Sequence, residues 1–99
     1  MIKMLTSKQR AYLRGLANGI PAIFQIGKNG INDNMIQQIK DALEARELIK
    51  VHVLESSMLD VREACNEIAA LTGSEPVQVI GSKFVLYKES KDNKSIELT

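Results

Sequence analysis

Apolar positions recur along this chain with two spacings, near four residues and near two, and the switches between them mark out seven elements. Thr6-Ser7-Lys8-Gln9 matches a capping box, so a first helix is expected from Thr6 or Ser7 to about Ala17. At about 100° per residue Tyr12, Leu13 and Leu16 share a core-facing arc, while Arg10 and Arg14 stack along its edge. Asn18-Gly19 supplies a left-handed stop. Residues 22–26 read as a short strand, followed by the glycine-bracketed turn Gly27-Lys28-Asn29-Gly30. Asn32 caps a second helix reaching about Arg46, with Met35, Ile36, Ile39, Ala42 and Leu43 within an arc of about 120°.

Residues 48–54 alternate as a strand that turns Ile49, Val51 and Val53 to one face. A third helix over 59–72 is expected to bury Val61, Ala64, Cys65, Ile68, Leu71 and Thr72, with Gly73 as its stop. Two more strands, 76–80 and 83–87, flank Gly81-Ser82, which fits a type II′ hairpin turn. The order α-β-α-β-α-β-β predicts an α/β domain with right-handed crossovers, some parallel pairing and one antiparallel hairpin, hence a mixed sheet. Residues 1–88 form the expected domain, and 89–99, polar and without periodicity, a frayed tail.

Composition narrows the class. Ninety-nine residues at 44% apolar suit one small domain. No apolar run reaches the roughly 18–20 residues of a bilayer span, and 1–5 lead straight into polar residues without a signal peptide's apolar stretch. A single cysteine, Cys65, allows no internal disulfide. A soluble, cytoplasmic protein is expected. The net charge of +1 hides an asymmetry: residues 1–50 carry +4 and 51–99 carry −3. Five basic residues precede the first acidic one, Asp33. That distribution predicts a basic face suited to nucleic acid, against the plainer reading of mixed charge on a solvated surface.

Groups for catalysis are scarce. His52 stands mid-strand as a sheet-surface residue, and Cys65 lies on an apolar stripe where cysteine behaves as a small hydrophobe. One His and one Cys cannot supply a usual zinc site, so no metal, cofactor or enzymatic activity is expected. The glycine turn matches neither Walker A, since Lys28 precedes the second glycine, nor G-x-G-x-x-G. What remains is G-x-x-G, by which KH modules clamp a nucleic-acid backbone, although a strand-to-helix turn can want glycine for its own sake. Arg10 and Arg14, at i and i+4 with no carboxylate between, cost a helix about 0.2–0.5 kcal/mol. A partner anion would explain them. Lys8, Lys28 and Lys50 extend the candidate patch. With four aromatics in all and no paired strand aromatics, backbone and shape recognition is expected over base stacking.

Residues 5–14, Gln25-Ile26-Gly27-Lys28-Asn29-Gly30, Glu47-Leu48-Ile49-Lys50-Val51 and Val77-Gln78-Val79-Ile80-Gly81 together resemble the CRM domain. The abbreviation stands for chloroplast RNA splicing and ribosome maturation, and the chain resembles its stand-alone bacterial YhbY-like form over about 4–88. The resemblance implies a mixed four-stranded sheet similar to the C-terminal domain of translation initiation factor three. It also implies RNA binding, with Gly27, Lys28, Asn29 and Gly30 as the loop and Lys8, Arg10 and Arg14 as the basic helix. Asn32 stands where members often carry threonine, and it caps a helix equally well. The implied partner is large-subunit ribosomal RNA or a pre-ribosomal particle; separately, the charged surface makes a monomer the expected state. The acidic stretch 55–75 is expected to put the third helix off the RNA face. An alternative is a protein-interaction module whose acidic third helix docks a basic ribosomal protein.

Overall fold

A computed structural model describes residues 5–96; the expectations for residues 1–4 and 97–99 lie outside the described residues. The elements are α1 (Ser7–Ala17), β1 (Phe24–Ile26), α2 (Asp33–Arg46), β2 (Leu48–Val53), α3 (Val61–Thr72), β3 (Glu75–Ile80) and β4 (Lys83–Tyr87). A 3-10 turn at Glu55–Ser57, unforeseen in the sequence, links β2 to α3. Each helix starts on a side-chain cap: Thr6 in a full capping box with Gln9, Asn32 on Met35 N–H, and Asp60 on Glu63 N–H.

The strands form one mixed sheet in the order β1-β2-β4-β3. β1 runs parallel to β2, and β4 pairs antiparallel with both β2 and β3. Gly81 holds φ +58 while Ser82 stays in the ordinary region, the sign pattern of the expected type II′ turn. Because strand side chains alternate, the sheet has two distinct faces. Ile26, Ile49, Val51, Val53, Phe84 and Leu86 meet α2 and α3 through Ile39, Leu43, Cys65 and Ile68. The other face meets α1, where Leu13 and Ala17 pack on Leu48, Val77, Val85 and Tyr87. The acidic third helix therefore sits across the sheet from the basic first helix.

Several local expectations give way. Tyr12 is 52% exposed and Leu16 38%, because α1 touches the sheet along the narrow line of Leu13 and Ala17 rather than a broad arc. Leu71 likewise faces out, at 51% exposure, at the margin of the α3 stripe. Asn18 keeps helical φ/ψ, and Gly19 N–H bonds the Leu16 carbonyl at 3.3 Å, so α1 ends on a tightened turn without a left-handed residue. Gly73 does hold the left-handed conformation expected of it, at φ +68. No helix among the described residues is long and apolar enough to cross a membrane.

The stretch expected to fray makes contacts that the sequence did not suggest. Residues 89–96 form no helix or strand, yet they fold around two carboxylates. Glu47 ends α2 at φ +66 and is fully buried. It accepts the N–H groups of Ser90 (2.8 Å), Ser95 (2.6 Å) and Ile96 (2.8 Å), while its carbonyl accepts Lys88 N–H at 2.9 Å. Glu44 accepts the Ser90 hydroxyl and the N–H groups of Lys91 (3.2 Å) and Asp92 (3.1 Å). Ile96 adds an apolar anchor beside Leu13 and Leu48. The tail's polar side chains read as solvated, yet those of Ser90, Asn93 and Ser95 also donate to these two acids.

Burial works to raise the Glu47 pKa, but the Ser90, Ser95 and Ile96 donors outweigh it and hold it below the ordinary value. The Ser90 hydroxyl, then the Asp92 and Lys91 N–H groups, bring Glu44 down to about 2. Both folded values lie below the unfolded ones, so this stabilisation is complete above about pH 4.5. It is lost as pH falls through the folded values. Urea midpoints are expected to drop over that interval, and Glu44→Gln should flatten the decline; an unaltered decline would remove Glu44 from the account. Glu47→Gly relieves the left-handed backbone, yet should destabilise by about 2 kcal/mol because three donors lose a charged acceptor. Equal or greater stability of that variant in urea would show that strain relief dominates.

Candidate nucleic-acid interface

The turn after β1 is built by one backbone bond, Gly30 N–H to the Gly27 carbonyl at 2.9 Å. Lys28 and Asn29 occupy its two central positions with ordinary φ, and Gly30 follows at φ +65. That sequence of conformations is a type I turn closed by a left-handed glycine. Both central side chains are exposed. Among the described residues no acceptor takes the backbone N–H of Lys28 or Asn29. Two free donors and one ammonium group thus share the tip, an arrangement that can receive an anion.

The two glycines prove unequal. Gly30 needs its positive φ, whereas Gly27 has ordinary φ. A Cβ on Gly27 would lie 3.6 Å from a Leu54 methyl and 3.8 Å from the Ser56 hydroxyl, which is normal contact. Backbone geometry therefore explains Gly30 and leaves Gly27 without a conformational reason. The helix N-terminus is also more occupied than the sequence suggested. Asn32 Oδ1 already takes Met35 N–H at 2.8 Å, and the Asp33 carboxylate stands in the first turn. A phosphate here would meet Lys28 and the turn N–H groups with less help from the α2 dipole.

The other expected contacts distribute over α1 and its sheet face. Lys8 and Arg14 are exposed and Arg10 is half-buried. Lys50 is half-buried and shares a groove with Leu16, Ile20, Pro21, Ile23 and Leu48. By helical rotation Arg14 lies about 160°, and Arg10 about 120°, around α1 from Leu16. The structure therefore brings Lys50 to one flank of α1 and sends the two arginines to the other. No hydrogen bond or ion pair among the described residues ties these basic side chains to a protein acceptor. The single ion pair found there, Lys94 to Glu89 at 3.9 Å, lies in the tail. These cations face solvent or a groove without a protein acceptor among the described residues.

Strand alternation adds residues that sequence reasoning missed. Leu48, Lys50 and His52 share the α1 face, and register places Gln25 and Lys83 on either side of His52. The signal was available in the period-two pattern of 48–52, but the pairing of Lys83 with His52 needed the strand order. Cys65 is buried, and desolvation pushes its thiol up to about 11 despite nearby Arg62, which favours an inert thiol.

Comparison with known proteins gives a consistent answer. The sequence model of the CRS1 / YhbY (CRM) domain matches residues 5–88. "Probable RNA-binding protein YqeI" of Bacillus subtilis is 54% identical over 95 residues, covering 96% of this chain and 99% of that protein. A protein of Haemophilus influenzae named "RNA-binding protein" is 34% identical over 90 residues, covering 91% of each chain. The solution structure of hypothetical protein SAV1595 from Staphylococcus aureus, described there as a candidate RNA-binding protein, superposes with a TM-score of 0.77 at 56% identity. It covers 97% of this chain and 100% of that one.

The glycine asymmetry is testable by separating stability from binding. Gly30→Ala is expected to destabilise by about 1 kcal/mol, read by urea unfolding, because an L-residue resists positive φ. Gly27→Ala should change stability by less than about 0.5 kcal/mol. If Gly27→Ala unfolds as readily as Gly30→Ala, the conformational distinction is wrong.

Proposed function

The chain belongs to the CRS1 / YhbY (CRM) domain family, and from that membership we propose a non-enzymatic RNA-binding protein that assists large-subunit ribosome assembly. The observation that carries the reading is the exposed Gly27–Gly30 turn, with Lys28 and two unpartnered backbone N–H groups at its tip. The unpaired cations of α1 support it, as do the names of the RNA-binding relatives. The turn grips backbone phosphate. Arg10 and Arg14 reach further phosphates or stack on exposed bases, and Lys8 and Lys50 add diffuse attraction. The partner is precursor large-subunit ribosomal RNA in the cytoplasm, met by a monomer.

A second reading rests on α3, whose Asp60, Glu63 and Glu67 are exposed on the layer opposite α1. There a basic ribosomal protein would dock while the other face remained open.

Filter binding to a large-subunit ribosomal RNA transcript tests the primary proposal. Neutralising about four phosphates gives a log–log salt slope near −3, or roughly a 60-fold loss between 50 and 200 mM salt. Lys28→Gln should reduce the slope's magnitude by about 0.7. Full retention of binding by a combined Lys28→Gln, Arg10→Gln, Arg14→Gln variant would sink this assignment. Co-sedimentation with precursor particles that survives that variant, but fails in Glu63→Lys, Glu67→Lys, would assign α3 as the contact.

A further inference from the structure

Helix α1 covers its sheet face at one end only. Its buried residues meet Leu48, Val77, Val85 and Tyr87, leaving uncovered the end where β1 and β2 finish and β4 begins. Register lines up Gln25, His52, Lys83 and Ile80 across the four strands at that end. Gln25 and Lys83 are exposed, His52 is half-buried, and Ile80 is 57% exposed. Lys50 stands one pleat behind His52 on the same face.

The charge on this strip has one sign. Lys50 and Lys83 carry it, and neither has an ion-pair partner among the described residues. Glu75, an acidic strand residue of this face, pairs with Tyr87 at the opposite, covered end. The strip also continues the anion-receptive turn, because Gly27 follows Ile26 directly and Leu54 N–H bonds the Ile26 carbonyl at 2.9 Å. On the other side it runs into the β3–β4 hairpin, where the Ser82 carbonyl accepts Val53 N–H at 2.7 Å.

We propose that bound RNA leaves the Gly27–Gly30 turn across this open sheet end, along Gln25 and His52 to Lys83. The inference rests on the RNA-binding reading and extends its surface to residues that lie outside both the turn and α1. Charge complementarity selects the occupant: two lysines attract phosphate, and the Gln25 amide and His52 ring offer hydrogen bonds to sugar or base edges. The exposed Ile80 side chain ends the strip with an apolar surface. Neighbouring strands are about 4.8 Å apart, so crossing from β1 to β4 engages Lys28 and Lys83 with different phosphates.

The experiment uses the full chain and the same large-subunit ribosomal RNA transcript. Lys83→Gln is expected to weaken binding several-fold and to lower the magnitude of the salt slope by about 0.7, as Lys28→Gln does. Lys40→Gln, on α2 across the sheet, should leave both unchanged. Lys83 is an exposed strand-end residue, and matched thermal melts check that the variant folds. Photocrosslinking of 4-thiouridine-substituted transcript should in addition mark the peptides holding His52 or Lys83. If Lys28→Gln weakens binding while Lys83→Gln does not and no crosslink reaches β2 or β4, the sheet track is overturned and the turn contact stands. If neither variant has an effect and no crosslink forms anywhere, the RNA-binding reading itself falls.

Discussion

The central strands β2 and β4 bury apolar side chains on both faces at one end and on a single face at the other. Ile49, Val51, Phe84 and Leu86 commit one face to α2 and α3 throughout. On the reverse face Leu48, Val85 and Tyr87 must also leave water, and α1 is the element that covers them. Lys50, His52 and Lys83 make no such demand. The helix therefore stops short, and the sheet keeps an open end next to the turn that follows β1. Hydrophobic burial, roughly proportional to apolar area removed from water, decides where the protein is closed and where it is accessible.

That arrangement also separates charge. The sheet stands between α1 with its cations and α3 with its carboxylates, so the two signs face opposite sides of the molecule. A near-neutral chain can thus present basic side chains on α1 that no ion pair among the described residues consumes. The two acids that might have spoiled this picture, Glu44 and Glu47, are turned to structural use. They accept hydrogen bonds from the last described residues, and Glu47 does so from a left-handed backbone position that glycine would occupy more cheaply. The carboxylate that a glycine would lack joins the end of α2 to the chain that follows β4. Tyr87 feels the same charge: burial first, then Glu47 and Glu89, raise its pKa.

Local readings succeeded where the determining contacts are near in sequence. The capping box at Thr6 and Gln9, the Asn32 cap, the Gly73 stop and the Gly81-Ser82 turn each depend on residues within four positions. The α2 stripe and the β2 alternation held because their faces meet a broad core. Readings failed where burial depends on what covers a face. Tyr12, Leu16 and Leu71 satisfy the helical period but project beyond the edge of contact. The tail contacts were not legible for a related reason, since their partners lie more than 40 positions away.

The sequence by itself determined the element types, the mixed character of the sheet, the family resemblance and the basic tendency of the first half. These follow from periodicity, capping chemistry and charge order, which are properties of neighbouring residues. Tertiary structure alone decided the strand order and the placement of α1 over one end of the sheet. It also decided the difference between Gly27 and Gly30, the register of Lys83 beside His52, and the anchoring of residues 90–96. Each of these depends on which distant segments pack together, and only the folded chain fixes that.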